Sequence, residues 1–335
     1  MSRLKTILIL FLIEAGVLCL GVMGVLYFVL RPVAATGETR AVVVEPGMTL
    51  AQVAGRLEET GLIRDAIWFR ALARFHKTDQ KIHIGRYYFK TGTSMSAILT
   101  KLVSGEGATQ TVTIPEGLTI PEVASILHAR AQVDSASFVR LANRPDFVRT
   151  LGLSASSLEG YLFPNTYRLY EGMSPEFILK EMTGLFQKVF TEKYRTQAEQ
   201  LGYSMHQIVT LASIVEQEAQ KEEERGIISG VFHNRLRIGI RLEADPTVQY
   251  AIGDPNLRLL KKHLTIPSPY NTYLHAGLPP GPICSPGAAS IRAALYPQSV
   301  PYLFFVARGD GTHIFSKSNE EHNEARTLVK QDQQI

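Results

Sequence analysis

Two acids, Glu216 and Glu218, close an otherwise apolar run in "LASIVEQEAQ", residues 211–220. A carboxyl beside apolar side chains holds its proton more tightly, because burial disfavours the charged form, and a protonated carboxyl is a general acid. After giving up that proton it becomes a base. One glutamate can therefore serve both halves of a bond cleavage, whereas an ordinary glycosidase needs a second carboxylate as nucleophile or water-activating base.

The element that must position these acids is a helix. Ser204 and Gln207 form the Ser-x-x-Gln signature of a capped start, and Ile208, Leu211, Ala212, Val215 and Ala219 recur at helical spacing on one inward face. Glu216 and Glu218 fall on opposite edges of that face, each roughly 80° from its centre at 100° per residue. Periodicity does not choose between them.

The 335 residues are 45% hydrophobic and carry a formal charge of +4, with Lys and Arg interspersed. No basic block or aromatic-basic stretch points to nucleic acid. Cys19 lies in an apolar stretch and Cys284 in a Pro/Gly loop, so no disulfide framework is expected. His313 and His322 lack the company of HExxH or Cys-x-x-Cys, and hydrogen bonding is their expected use. A P-loop, a dinucleotide fingerprint and a serine elbow are all missing from the sequence, so neither cofactor nor metal is expected.

At the N-terminus, "TILILFLIEAGVLCLGVMGVLYFVL" runs over residues 6–30 with Glu14 as its one charge, long enough to span a bilayer. Arg3 and Lys5 precede it, which places residues 1–5 in the cytoplasm and everything beyond the span outside. A linker over 31–40 follows. "AVVVEPGMTLAQVAGRLEETGLI" then reads as strand, Gly turn and helix, and the frame returns in "TVTIPEGLTIPEVASILHARAQV", with Gly47 matching Gly117 and Thr49 matching Thr119. "YYFKTGTSMSAILTKLVSG" echoes it through Gly92 and Ser94. These units resemble LysM carbohydrate-binding modules, and a generic capped strand-turn-helix is the other reading. The expected organisation is a LysM-like module over 41–107 and a mixed α+β domain over 108–335, for an α+β fold overall.

Further on, "SPEFILKEMTGLFQKVFTEKY" and "GIISGVFHNRLRIG" read as helices and "LEADPTVQYAIG" as a Pro-broken turn. "SPYNTYLHAGLPPGPICSPGAASI" reads as a long ordered loop, "PYLFFVARGDGTHIF" as a hairpin, and "NEEHNEARTLVKQ" as a last helix.

Taken in order, "LASIVEQEA", "VFHNRLRIGIRLEADPTVQY", "YNTYLHAGLPPGPI" with "SPG", and "PYLFFVARGDGTHIFSKSNEEHN" resemble the MltG (YceG-like) family of endolytic peptidoglycan transglycosylases. The resemblance runs from the anchor to about residue 330. It implies cleavage between N-acetylmuramic acid and N-acetylglucosamine without water, leaving a 1,6-anhydro end. It also implies Glu216 as the acid and base, peptidoglycan strands as substrate, polymerases as neighbours, and attachment to the cytoplasmic membrane through residues 6–30.

Glu218, by "QKEEER", is expected on a solvated flank, orienting Glu216 or touching sugar. Asn234 and Arg235 are candidates for sugar contact or for holding a loop. Asp245 reads as a turn former that steers sugar less readily. Tyr270, Asn271 and Tyr273 offer flat rings and an amide to a pyranose, or else scaffold their loop. His313 completes the candidates for substrate contact, and Glu159 and Tyr161 in "LEGYLFPNTY" are similarly open. Asn165 stands where the family has Asp, and Glu243 replaces a more usual polar residue, so neither carries over a role. Two other activities fit the same residues: a hydrolytic muramidase with Asp245 as second carboxylate, and a tethered wall-binding protein without catalysis.

Overall fold

The computed structural model describes residues 12–21, 23, 24, 27, 33 and 37–332. Residues 12–21 are helical, and the rest of the expected span over 6–30 lies almost wholly outside the described residues. No helix among the described residues is long and apolar enough to cross a membrane. The chain divides into two compact units, one taking residues up to 111 together with Arg168–Glu171, the other Val112–Tyr167 and the chain from Gly172 onward.

The first unit is β1 (Thr39–Val44), α1 (Leu50–Glu59), α2 (Ala66–Phe75), β2 (Gly85–Lys90) and α3 (Met95–Ser104). β1 and β2 pair antiparallel from Thr39 opposite Lys90 to Val44 opposite Gly85. Val42 and Val44 of β1, Leu57 of α1, Phe69 of α2, Tyr87 of β2 and Leu102 of α3 meet in one core. The turns are set locally. Gly47 and Gly92 take positive φ, which a side chain would strain. Thr49 and Ser94 then cap the helices that follow. Both expected strand-turn-helix units are present, and α2 completes a β-α-α-β arrangement.

The second unit is mostly helical. β3 (Gln110–Ile114), which is in this unit from Val112, leads through the Gly117 turn into α4 (Ile120–Ala131), the third strand-turn-helix unit, followed by α5 (Ser135–Ala142), α6 (Pro145–Thr150) and β4 (Asn165–Leu169), which is in this unit as far as Tyr167. Next come α7 (Pro175–Val189), α8 (Glu192–Gln200), α9 (Met205–Glu218), α10 (Glu222–Arg237), α11 (Asp245–Ile252) and α12 (Ala288–Leu295). The hairpin β5 (Phe304–Ala307) and β6 (His313–Ser316) and a last helix, α13 (Asn319–Asp332), close the described chain. The fold is mixed α+β.

Two expectations need correction. "LEADPTVQYAIG" is not a turn: Pro246 sits in the first turn of α11, where its missing N–H is no loss and its fixed φ suits a helix. The helix carrying the two acids also has more than one inward face. It starts with the expected Ser204–Gln207 box, but every residue from Ile208 to Val215 is buried, because α10, α11 and α12 all pack against it. The polar Thr210 and Ser213 survive inside by bonding backbone, Thr210 to His206 O and Ser213 to Thr210 O, both at 2.7 Å.

Candidate active site

The C-terminal turn of α9 projects its two acids in different directions, since residues two apart on a helix do not face each other. Glu216 is fully engaged. One oxygen lies 3.3 Å from Arg225 Nη1 in an ion pair whose side chains are only 8% and 11% exposed. The other accepts the Gly287 N–H at 2.9 Å. Arg225 in turn donates Nε to Glu222 at 3.0 Å and Nη1 to the Ser290 hydroxyl.

A third carboxyl, Glu116, packs onto Gly287 so closely that a Cβ there would lie 1.8 Å from Glu116 Oε1. A side chain at 287 would have to displace the Glu116 carboxyl. Burial, with a smaller contribution from the Glu216 charge, raises the pKa of Glu116 above the usual carboxylate range, and Arg225 opposes the rise. The Gly117 turn is tied to the same place. Its N–H donates to Ser285 O at 2.9 Å, the Ser285 N–H returns a bond to Leu118 O at 2.8 Å, and Gln217 Nε2 donates to Gly117 O at 2.6 Å. The Pro-rich loop is also fastened along α9, through Ile283 N–H to Ser213 Oγ at 3.0 Å.

Glu218 differs. It is the last residue of α9 and half-buried rather than on a solvated flank. Among the described residues its carboxyl makes no direct hydrogen bond or ion pair. Burial first, then the nearby Asp245 charge, push its pKa up to about 8, and Arg235 opposes them. Asp245 sits at the first position of α11 and accepts the Tyr273 hydroxyl at 2.6 Å. Burial first, then the hydrogen bond and charge of Asp245 and the charges of Glu218 and Glu243, push the Tyr273 phenol pKa up and keep it protonated.

Beside this group runs an open groove of about 610 Å³ lined by Arg235, Arg241, Glu243, Leu274 and Phe304 among others. A second cavity, of about 350 Å³, opens where Gln217, Pro246 and the start of α4 approach. Glu159 and Tyr250 line it. Glu159 is 6% exposed and accepts the Ile120 N–H at 3.2 Å, and burial pushes its pKa up to about 8. Tyr270 stacks at a tilt on Tyr250, ring centroids 4.9 Å apart.

The remaining candidates hold the frame. Asn234 donates to Val300 O at 2.8 Å and Tyr302 O at 3.0 Å. Asn271, fully buried, donates to Leu264 O at 3.0 Å and Ile266 O at 2.9 Å. His313 pairs through Nδ1 with Glu224 at 2.7 Å. Arg235 clamps three carbonyls, those of Leu303, Arg241 and Leu242. Tyr161 bonds His206 Nδ1 through its hydroxyl at 2.7 Å. Glu116, Arg225 and Tyr250 were not anticipated. In "IPEGLTI" the repeated frame marks Gly117 and Thr119, and no spacing signal joins Glu116 to residues a hundred or more positions away. Among the described residues no cluster of three His, Cys, Asp or Glu side chains is arranged to hold a metal.

The same layout occurs in known proteins. The YceG-like family matches residues 42–327, nearly the whole described chain. The chain belongs to the YceG-like family. An endolytic murein transglycosylase of Bacillus subtilis (strain 168) is 33% identical over 314 residues, 89% of this chain and 87% of that protein. A protein of the same name from Streptococcus pneumoniae serotype 2 is 29% identical over 96% of this chain, which spans 65% of its length. The crystal structure of a yceG-like protein from Listeria monocytogenes matches with a TM-score of 0.59 at 32% identity, covering 86% of this YceG-like chain and 99% of that one.

Proposed function

We propose that this YceG-like protein is an endolytic murein transglycosylase and that its acid and base is Glu218 rather than Glu216. The observation that supports this choice is the contrast between the two carboxyls. Both Glu216 oxygens are held, by Arg225 and by the Gly287 N–H, so neither is free to meet a glycosidic oxygen. Glu218 has no such partner, keeps part of its surface open, and with its pKa near 8 carries a proton at neutral pH. Glu216 is then the post that ties the end of α9 to Arg225 of α10 and to the start of α12.

In the reaction, the Glu218 carboxyl gives its proton to the glycosidic oxygen as the bond from C1 of N-acetylmuramic acid breaks. The resulting carboxylate takes the proton of the C6 hydroxyl while O6 closes on C1. No water enters, and the proton lent in the first step is regained in the second. The groove beside Arg235 and the cavity over Glu159 and Tyr250 take the flanking sugars, with Tyr270 and Tyr273 at their edges. Asp245, close enough to influence Glu218, favours the hydrolytic alternative. Mass analysis of strands cut by the purified protein decides between them, because 1,6-anhydro ends support the transglycosylase and reducing ends the muramidase.

The first unit serves as a LysM-like module. Its β-α-α-β order supports this, as does a small pocket of about 180 Å³ between the Gly47 turn and residues 79–84. Residues 6–30 anchor the chain in the cytoplasmic membrane with residues 1–5 inside, so that cutting takes place outside, beside the polymerases, and limits strand length.

A further inference from the structure

Helix α2 has two apolar faces, and among the described residues only one is packed. Phe69 and Ala73 are buried in the core of the first unit. Ile67, Trp68 and Phe75 stand 69%, 38% and 83% exposed, and with the exposed Ala71 they make a stripe roughly 100° wide at 100° per residue. Placing so much apolar surface in water without a partner is unusual for a small unit.

The stripe is bordered by cations. Arg70 and Arg74 lie along one edge, and residues 64–81 hold Arg64, Arg70, Arg74, Lys77 and Lys81 against two acids. Of those two, Asp65 is occupied as the helix cap, accepting the Ile67 N–H at 2.6 Å. Tryptophan and phenylalanine on one side with Arg and Lys beside them is the composition of a helix lying in a bilayer interface. The same unit carries the N-terminal apolar run. Residues 31–38 bridge at most about 28 Å when fully extended, so an anchored chain keeps this unit near the lipid headgroups.

We infer that the Ile67–Phe75 face of α2 seats on the anionic surface of the bilayer. This holds the first unit at the membrane by a second contact, independent of the span. The inference rests on residues 6–30 being the anchor. An apolar segment and basic residues act together here, and the electrostatic part weakens with salt.

Trp68 is the single tryptophan of the chain, so its fluorescence reads the face directly. The full chain is reconstituted into discs of phosphatidylglycerol with and without bromine on the upper acyl chain, and into matching phosphatidylcholine discs. The inference expects most of the Trp68 emission to be lost in brominated phosphatidylglycerol, with less loss in phosphatidylcholine and less at high salt. Phe75→Glu and Ile67→Glu should stay folded by circular dichroism and lose the quenching. Equal emission in brominated and plain anionic discs would overturn the inference, and would be the result if a protein covered this face. Quenching that ignores lipid charge, or survives both variants, would overturn it too. Flotation with vesicles tests the anchor separately, since a chain that floats without Trp68 quenching keeps its span and loses this contact.

Discussion

Arg225 is where the proposed division of labour between the two acids can be tested through stability. Arg225→Met keeps length and apolar bulk but removes the cation facing Glu216, with Glu222 also paired to it and Glu116 close by. Breaking a buried ion pair by removing one partner costs roughly 3–5 kcal/mol, because the other charge is left uncompensated. Here the pair is about nine-tenths buried and the orphaned Glu216 retains the Gly287 N–H, so the lower end, about 3 kcal/mol, is expected. With urea slopes of about 1–3 kcal/mol per molar, the midpoint falls by one molar or more.

Glu216→Gln alone leaves Arg225 with Glu222 and should cost less. The double variant Glu216→Gln with Arg225→Met no longer strands the Glu216 charge, and should recover at least about 1 kcal/mol relative to the sum of the single changes. Far-UV circular dichroism during urea unfolding at pH 7 measures all three. Additive losses within about 0.5 kcal/mol would mean that the pair is not a unit, and the assignment of Glu216 to architecture would fall.

Other outcomes follow from neighbouring residues. The rate at limiting substrate should hold through neutral pH and fall as pH rises past about 8, where Glu218 loses its proton; a profile that falls instead between pH 4 and 6 would contradict a raised acid. The same ionisation bears on stability, since the folded-state pKa lies above the unfolded value of 4.5. The stabilisation is complete below 4.5 and lost as pH rises toward 8, so Glu218→Gln should melt higher than the parent at pH 9 by calorimetry, and an unchanged difference from pH 5 to 9 would count against it. Asn271→Ala orphans the Leu264 and Ile266 carbonyls and should cost about 1–3 kcal/mol in a urea titration, whereas a neutral result with impaired turnover would return Asn271 to the sugar site. Deleting residues 41–107 should weaken binding to isolated sacculi in a pull-down while the rest still cuts at high substrate; unchanged binding would reduce the first unit to a spacer.

Local rules carried much of the fold. The Gly47, Gly92 and Gly117 turns, the Ser204–Gln207 box, the hairpin around Gly309 and Gly311, and α13 all follow from short-range turn and capping chemistry. Pro246 was misread because proline breaks a helix interior but favours its first turn. The surroundings of the two acids were less legible. A wheel treats the rest of the protein as one apolar side, whereas α9 is enclosed on every face from Ile208 to Val215, which leaves the geometry of Glu216 and Glu218 to partners far away in sequence. Arg225 follows within one turn of the next helix, but Gly287 and Glu116 arrive from distant loops. Asn234, Asn271 and His313 have the residue types of a sugar site, yet spend their donors on carbonyls or a carboxylate that would otherwise be buried unpaired.

The central claim is that one carboxyl, Glu218, makes and takes the proton while Glu216 holds the site together. The direct measurement is the yield of 1,6-anhydro ends, by mass analysis, from purified glycan strands digested with Glu218→Gln and with Glu216→Gln, each shown to be folded. General acid and base assistance is worth about 10² to 10⁴ in rate, and one residue supplies both steps. Glu218→Gln should therefore give no anhydro product above background, while Glu216→Gln retains measurable cutting with reduced stability. Near-normal cutting by Glu218→Gln together with none from a folded Glu216→Gln would contradict the account and return the acid to the other edge of the helix.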